Sequence, residues 1–138
     1  MSILEIKKIK FPTYTNETGT LSFFESERHI PFDIRRVYYI YDVQGNSRRG
    51  FHAHRDLQQV LFCIHGSCKL LLDNGTEQVN VLLDNPAEGL LIENPIWREM
   101  YDFSPGAVLL VMASEYYDEA DYIRNYDEFL AFIKENES

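Results

Sequence analysis

The chain is predicted to fold as an all-β jelly-roll barrel closed by a short C-terminal helical segment, and three observations carry that reading. Short apolar runs recur along the chain, broken by turn residues at Asn16 to Gly19, Gln44 to Gly50, Asp73-Asn74-Gly75, Asp84-Asn85-Pro86 and Ser104-Pro105-Gly106. One of those breaks is a strong hairpin signal, because Asn74-Gly75 supplies the positive φ angles that a tight turn demands. From Asp118 to Glu135 the apolar period changes: Tyr122, Ile123, Tyr126, Phe129, Leu130 and Ile133 recur at helical spacing among acidic residues.

Taken in order, Met1 to Lys10 alternates Ile with Lys and lacks a signal peptide's apolar block, so a cytoplasmic protein is expected. Strands are expected at about 20–25, 34–43 and 50–54 on either side of the Gln44 to Gly50 break, then 58–65 up to Gly66. The hairpin pairs 68–72 with 76–83 across its Asn-Gly turn. Further strands are expected at about 89–93, 97–102 and 107–114, each following a turn signal. So many short strands leave many edges, and closure into a barrel removes most of them. The tail should form one helix, or two with a break near Asn125, packed across the outside of the barrel.

With 138 residues, the chain has the size of one domain spanning 1–138. That length allows roughly 68% of the unfolded surface to be buried. It is 45% hydrophobic and 14% aromatic, a globular composition, and no stretch approaches the ~18 apolar residues of a membrane span. Cys63 and Cys68 match no zinc spacing and read as reduced packing residues. A net charge of -9 argues against nucleic acid as a partner. Within this acidic chain, Arg35, Arg36, Arg48, Arg49 and Arg55 gather around a histidine pair with only Asp42 between them, an arrangement suited to holding an anion.

That pair, in Arg49-Gly50-Phe51-His52-Ala53-His54, is the most informative feature. Alternate positions on a strand aim both imidazoles at one face. Two structural histidines in a barrel wall are the plain alternative, but imidazole also exchanges protons readily near neutral pH. His29 and His65 come with no motif and read as surface or turn residues. Arg36 and Tyr38 share one face of their strand, opposite Arg35, Val37, Tyr39 and Tyr41; alternation does not say which face is inward, and the tyrosine-rich side suits a dimer seam. Trp97 either stacks on a base or fills the core.

The spacing of His52, His54, Gln59 and Gly66, followed by Gly89, Pro95 and Arg98, resembles the two motifs of the cupin barrel. There the resemblance implies metal ligands of two His, a Glu and a third His, yet Gln59 stands at the Glu position and Arg98 at the last His position. A neutral amide is a poor ligand and a guanidinium repels a cation. No metal or other cofactor is therefore expected. Gln59 is expected to hydrogen-bond a ligand hydroxyl; Arg98 either holds a phosphate, polarises a carbonyl or makes a surface ion pair with Glu99.

Over about residues 16–132 the sequence resembles the dTDP-4-oxo-6-deoxy-D-glucose 3,4-ketoisomerases, small metal-free cupins that make 3-oxo sugars for bacterial surface polysaccharides. The motifs are Arg35 to Tyr41, Arg49 to His54, Gln59-Val60-Leu61, Gly66-Ser67-Cys68, Trp97-Arg98-Glu99-Met100, Asp102-Phe103, Ala113 to Glu119 and Asp121-Tyr122-Ile123-Arg124. The resemblance implies a homodimer acting on dTDP-4-oxo-6-deoxy-D-glucose, with His52 and His54 at the catalytic positions; one histidine is expected to take the C3 proton while the other, with Tyr38 or a bound water, exchanges protons with the sugar oxygens. Arg36, Arg49, Gln59, Trp97, Arg98 and Thr18 are then the expected substrate contacts. Relatives often carry His in place of Arg98, and Arg or Tyr in place of Thr18; Arg98 resembles the branch that leaves the gluco configuration at C4. A dTDP-sugar 3,5-epimerase and a metal-dependent cupin oxygenase are the alternative activities.

Overall fold

A computed structural model describes residues 4–93 and 95–137; the beginning of the Met1 to Lys10 run, Asn94 and Ser138 lie outside the described residues. The strands are β1 (Lys7–Lys10), β2 (Thr13–Asn16), β3 (Gly19–Ser22), β4 (Arg36–Ile40), β5 (Arg49–His54) and β6 (Gln59–His65). They continue as β7 (Cys68–Asp73), β8 (Gln78–Leu83), β9 (Glu88–Ile92), β10 (Trp97–Tyr101), β11 (Val108–Ala113) and β12 (Tyr122–Ile123), before helix α1 (Tyr126–Glu135). Two five-stranded antiparallel sheets, ordered β1-β9-β6-β11-β4 and β12-β5-β10-β7-β8, face one another; β2 and β3 form a separate exposed hairpin.

The space between the sheets is filled from both sides: Leu61, Cys63, Leu90, Ile92, Leu109 and Val111 from one, Cys68, Leu70, Leu72, Val81, Leu83 and Met100 from the other. The outer faces are covered as well. Phe11, Ile30 and Phe32 pack on Val60, Phe62 and Met112 of the first sheet, and Phe129 of α1 packs on Ala53, Trp97 and Ile123 of the second. This explains why Gln59 to Cys63 of β6 is a continuous buried run instead of an alternating one.

The tail breaks at Asn125, as one of the two expected arrangements had it, but the stretch before the break is not an α-helix. Asp118 caps a short 3-10 turn at Glu119–Asp121 by accepting the Ala120 N–H, and Tyr122–Ile123 then pairs with His54 and Ala53 as β12. Only after Asn125, whose side chain accepts the Glu128 N–H at 3.0 Å, does α1 begin. Tyr122 and Ile123 fit the helical period, but pairing with β5 supplies their backbone partners. Neither β1, within the alternating Lys and Ile, nor β2 is among the expected strands.

Candidate active site

β5 positions the histidines by means of a bulge. Arg98 pairs with His52 but Glu99 with Gly50, so Phe51 is the extra residue; it has φ 56° and an exposed side chain. Gly50 is required beside it: at φ +94° a Cβ would lie 2.9 Å from the Arg98 carbonyl oxygen. Beyond the bulge His52 and His54 point between the sheets while Ala53 packs beneath α1. The two imidazoles meet edge to face with centroids 5.0 Å apart, and Tyr122 of β12 lies 4.4 Å from the ring of His54 and 5.2 Å from that of His52.

Opposite the pair is a polar chain contributed by β4, β6 and β10. Gln59 donates through Nε2 to the Tyr38 hydroxyl at 3.0 Å and accepts from the Arg98 Nη1 through Oε1. Arg98 also donates to the Ile96 carbonyl, through Nη2 at 2.9 Å. This fixes the amide orientation, and it frees the Tyr38 O–H to donate to a ligand. Arg98 is fully buried and makes no salt bridge with a described carboxylate. Burial lowers its pKa to about 10, and burial raises that of Tyr38. At neutral pH the guanidinium remains charged and the phenol protonated.

The histidines respond to the same surroundings. Desolvation, reinforced by the charge of Arg98, lowers the pKa of His52 to about 4; His54 is driven down by desolvation first, then by Arg98, His52, Arg36 and Arg124. Both are neutral at physiological pH. Among the described residues, neither nitrogen of His52 has a well-formed hydrogen bond, nor does Nε2 of His54, although all three are buried. Unpartnered buried polar atoms in a native site call for a ligand or water. Nδ1 of His54 is 2.8 Å from Oδ2 of Asp121. A hollow of about 440 Å³ lined by Arg36, Asp56, Tyr117, Asp121 and Tyr122 leads away from this end of the barrel.

Of the expected site residues, the structure brings together His52, His54, Tyr38, Gln59, Arg98 and Arg36. The half-buried positions of β4 settle its inward face as Arg36, Tyr38 and Ile40. Arg98 is correspondingly interior, and the surface pair with Glu99 belongs instead to Arg48, at 2.7 Å. Trp97 is not at the site. Next to Arg98 on the strand it faces the other way, is 4% exposed, and lies under α1 with its Nε1 donating to Glu99 Oε2. Arg49 is exposed at the far end of β5, beside Tyr41, Asp42, Gln44 and Ser47. Thr18 is exposed in the β2–β3 turn, bonded to Asn16 Oδ1.

Sequence reasoning gave no role to Asp121, Tyr122, Glu119 or Arg124. Arg124 stacks 4.2 Å from the Tyr122 ring centroid and pairs with Glu119 at 2.7 Å. These residues come to the mouth because the tail makes β12, and the Asp-Tyr-Ile-Arg run was the available signal. Among the described residues no three His, Cys, Asp or Glu side chains are grouped to hold a metal ion.

Two facing antiparallel sheets that enclose a histidine pair and a buried guanidinium define a cupin-like barrel. Residues 4–134 match the family model described as FdtA: WxcM-like, C-terminal, and the chain belongs to that family. It is 48% identical over 130 residues to the TDP-4-oxo-6-deoxy-alpha-D-glucose-3,4-oxoisomerase of Aneurinibacillus thermoaerophilus, covering 94% of each chain. Among solved structures, a histidine-to-asparagine mutant of the 3,4-ketoisomerase QdtA from Thermoanaerobacterium thermosaccharolyticum, in complex with TDP-4-keto-6-deoxyglucose, superposes with a TM-score of 0.93 at 46% identity, covering 98% of both chains. The TDP-quinovose 3,4-ketoisomerase WlaRB of Campylobacter jejuni gives 0.88 at 46% identity over 94% of this chain and 99% of its own; the TDP-fucose-3,4-ketoisomerase WlaRA of that organism gives 0.88 at 34%, over 96% and 98%. A dTDP-6-deoxy-D-glucose-3,5-epimerase from Legionella pneumophila shares the fold at 19% identity, with a TM-score of 0.74 over 95% of this chain and 79% of its own.

Proposed function

We infer that this sugar 3,4-ketoisomerase acts on TDP-4-oxo-6-deoxy-D-glucose, moving the ketone from C4 to C3 by proton transfer through His52 and His54. The observation that carries the reading is the juxtaposition, among the described residues, of neutral imidazoles with unpartnered nitrogens and a buried guanidinium without an ion-pair partner. A hydrogen beside a carbonyl is acidic once the resulting enediolate is stabilised. One imidazole removes the C3 proton, and the electron pair forms the C3–C4 double bond of the enediolate. Arg98 and the Tyr38 hydroxyl are placed to stabilise its oxygens. Protonation at C4, with the O3 proton lost and O4 protonated in its place, then leaves the ketone at C3 and a hydroxyl at C4.

The diphosphate is expected to approach Arg36, whose guanidinium lies 5.4 Å from the Tyr38 ring and 5.7 Å from that of Tyr117. Its negative charge would offset the arginine field that depresses the histidines, raising their basicity only when substrate is bound. A metal is not needed in this mechanism, and the buried cation beside the histidines disfavours one. Greater identity to the quinovose enzyme than to the fucose enzyme supports the gluco product.

The protein is further proposed to be a cytoplasmic homodimer. Val37 and Tyr39 of β4, an edge strand, and Tyr41 just beyond it expose an apolar face that a second copy would cover. Incubation with TDP-4-oxo-6-deoxy-D-glucose, with the product trapped by a 3-aminotransferase, tests the activity. A 3-amino sugar is expected; recovery of untransformed substrate would refute the assignment.

A further inference from the structure

Asp121 stands 67 residues from His54 in sequence and touches it at 2.8 Å. We propose that Asp121 is a positioning residue that holds His54 with its proton on Nδ1, so that the unprotonated Nε2 faces the substrate. The proposal deepens the ketoisomerase reading and rests on it.

The argument starts from what a carboxylate can do. Ionised, it only accepts hydrogen bonds, so the imidazole atom facing it must donate. Both oxygens of Asp121 are engaged: Oδ1 accepts the Asp56 N–H at 2.7 Å, and Oδ2 faces Nδ1 of His54. The carboxylate cannot swing away without breaking the first contact. Its backbone is held too, since the Asp121 carbonyl accepts the Arg55 N–H at 2.9 Å and the Asp121 N–H donates to the Asp118 carbonyl at 3.1 Å. The Arg55 guanidinium donates to the carbonyls on either side, those of Ala120 and Tyr122.

With Nδ1 protonated, the lone pair of a neutral His54 is on Nε2, the nitrogen that is buried without a partner. Tyr122, the next residue, closes one side of the ring. His52 has no carboxylate partner, so neither of its tautomers is fixed in this way. The two imidazoles are therefore unequal: His54 enters the reaction as a proton acceptor at Nε2, while among the described residues no carboxylate sets the tautomer of His52. In the step assigned to His54, the substrate C3–H bond breaks, its electrons enter the enediolate, and the proton resides on Nε2 until it is returned. The carboxylate favours the transient imidazolium without taking its proton.

Asp121→Asn distinguishes this role from packing. An amide is nearly the same size, but only its oxygen accepts, so it cannot accept from both the Asp56 N–H and an Nδ1–H of His54 in these positions. If the amide nitrogen faces His54, it requires the lone pair on Nδ1 and forces the proton to Nε2, the wrong tautomer. The test records long-range proton–nitrogen spectra of histidine-labelled enzyme together with steady-state kinetics and melting. Wild type should show His54 protonated at Nδ1. In Asp121→Asn that signature should be lost and kcat should fall on the order of 10²-fold or more, with KM changed less than about threefold and the fold retained. An Nε2–H tautomer in wild type, or wild-type kcat in Asp121→Asn, would overturn the proposal. Should the variant not fold, the wild-type spectrum decides alone. Failure of wild type to move the ketone would sink the ketoisomerase reading, whereas the tautomer spectrum tests the positioning separately.

Discussion

The two ends of the barrel interior share β4, β6 and β10 and differ in what those strands point inward. Moving along β6, Gln59 is followed by Leu61 and Cys63; along β10, Arg98 is followed by Met100; along β4, Arg36 and Tyr38 are followed by Ile40. One end is a layer of charge, amide, phenol and imidazole; the other is a continuous apolar core of aliphatic side chains, thiols and a methionine. The difference teaches how a small barrel can separate its tasks: close packing at one end holds strands in register, and that register places the polar layer at the other. Polar groups buried with unmet hydrogen bonds cost stability, so the apolar end has to offset what the polar end gives up.

The strongest way to break this comparison is to remove the imidazoles. His52→Asn and His54→Asn should each lower turnover by ~10² or more, measured by product formation, while the melting transition stays cooperative. Near-wild-type rates in both would mean the polar layer is not the catalytic layer. Two strand positions away from Gln59, the opposite result is expected. Leu61→Ala should cost about 2–5 kcal/mol of unfolding free energy, measured by urea titration, with kcat per folded molecule nearly unchanged. A large fall in kcat at unchanged stability would show that the two ends are not separate in function.

Acid sharpens the contrast, because only one end titrates. The folded-state pKa of His52 is lowered to about 4 and that of His54 is also lowered, from an unfolded value near 6.5. Below pH 6.5 the unfolded chain therefore binds protons that the folded chain refuses, and stability falls as pH drops toward 4. The slope approaches about 1.4 kcal/mol per pH unit for each histidine. Replacing either one by Asn should flatten the dependence of Tm on pH between 6.5 and 4.5; an unaltered slope would show that the histidines are not held neutral by burial. The smallest expected effect is that of chelation. Incubation with EDTA should leave the rate unchanged, and activity lost to EDTA and restored by added metal would contradict the proton-transfer account.

Much of this division was legible in the sequence, for reasons that differ by residue. His52 and His54 were readable because period-two alternation is local, and the 68–83 hairpin because Asn74-Gly75 dictates its turn. The bulge at Phe51 was not legible, since it arises from a register shift between β5 and β10. Trp97 showed the limit of residue chemistry: its neighbour Arg98 faces the reactive end, so Trp97 must face α1. The role of Asp121 was hidden because Tyr122 and Ile123 satisfy a helical period by chance. Only tertiary pairing with β5 turns that stretch into strand and brings a carboxylate to His54. Arg98 could be singled out as a replaced ligand, but its complete burial depends on the opposite sheet.

The most direct measurement follows TDP-4-oxo-6-deoxy-D-glucose by NMR in deuterated water with the purified protein. The account predicts that the ketone signal moves from C4 to C3 while the hydrogen at C5 is retained. A ketone that stays at C4 with deuterium entering at C3 and C5 would be the signature of epimerisation and would contradict it.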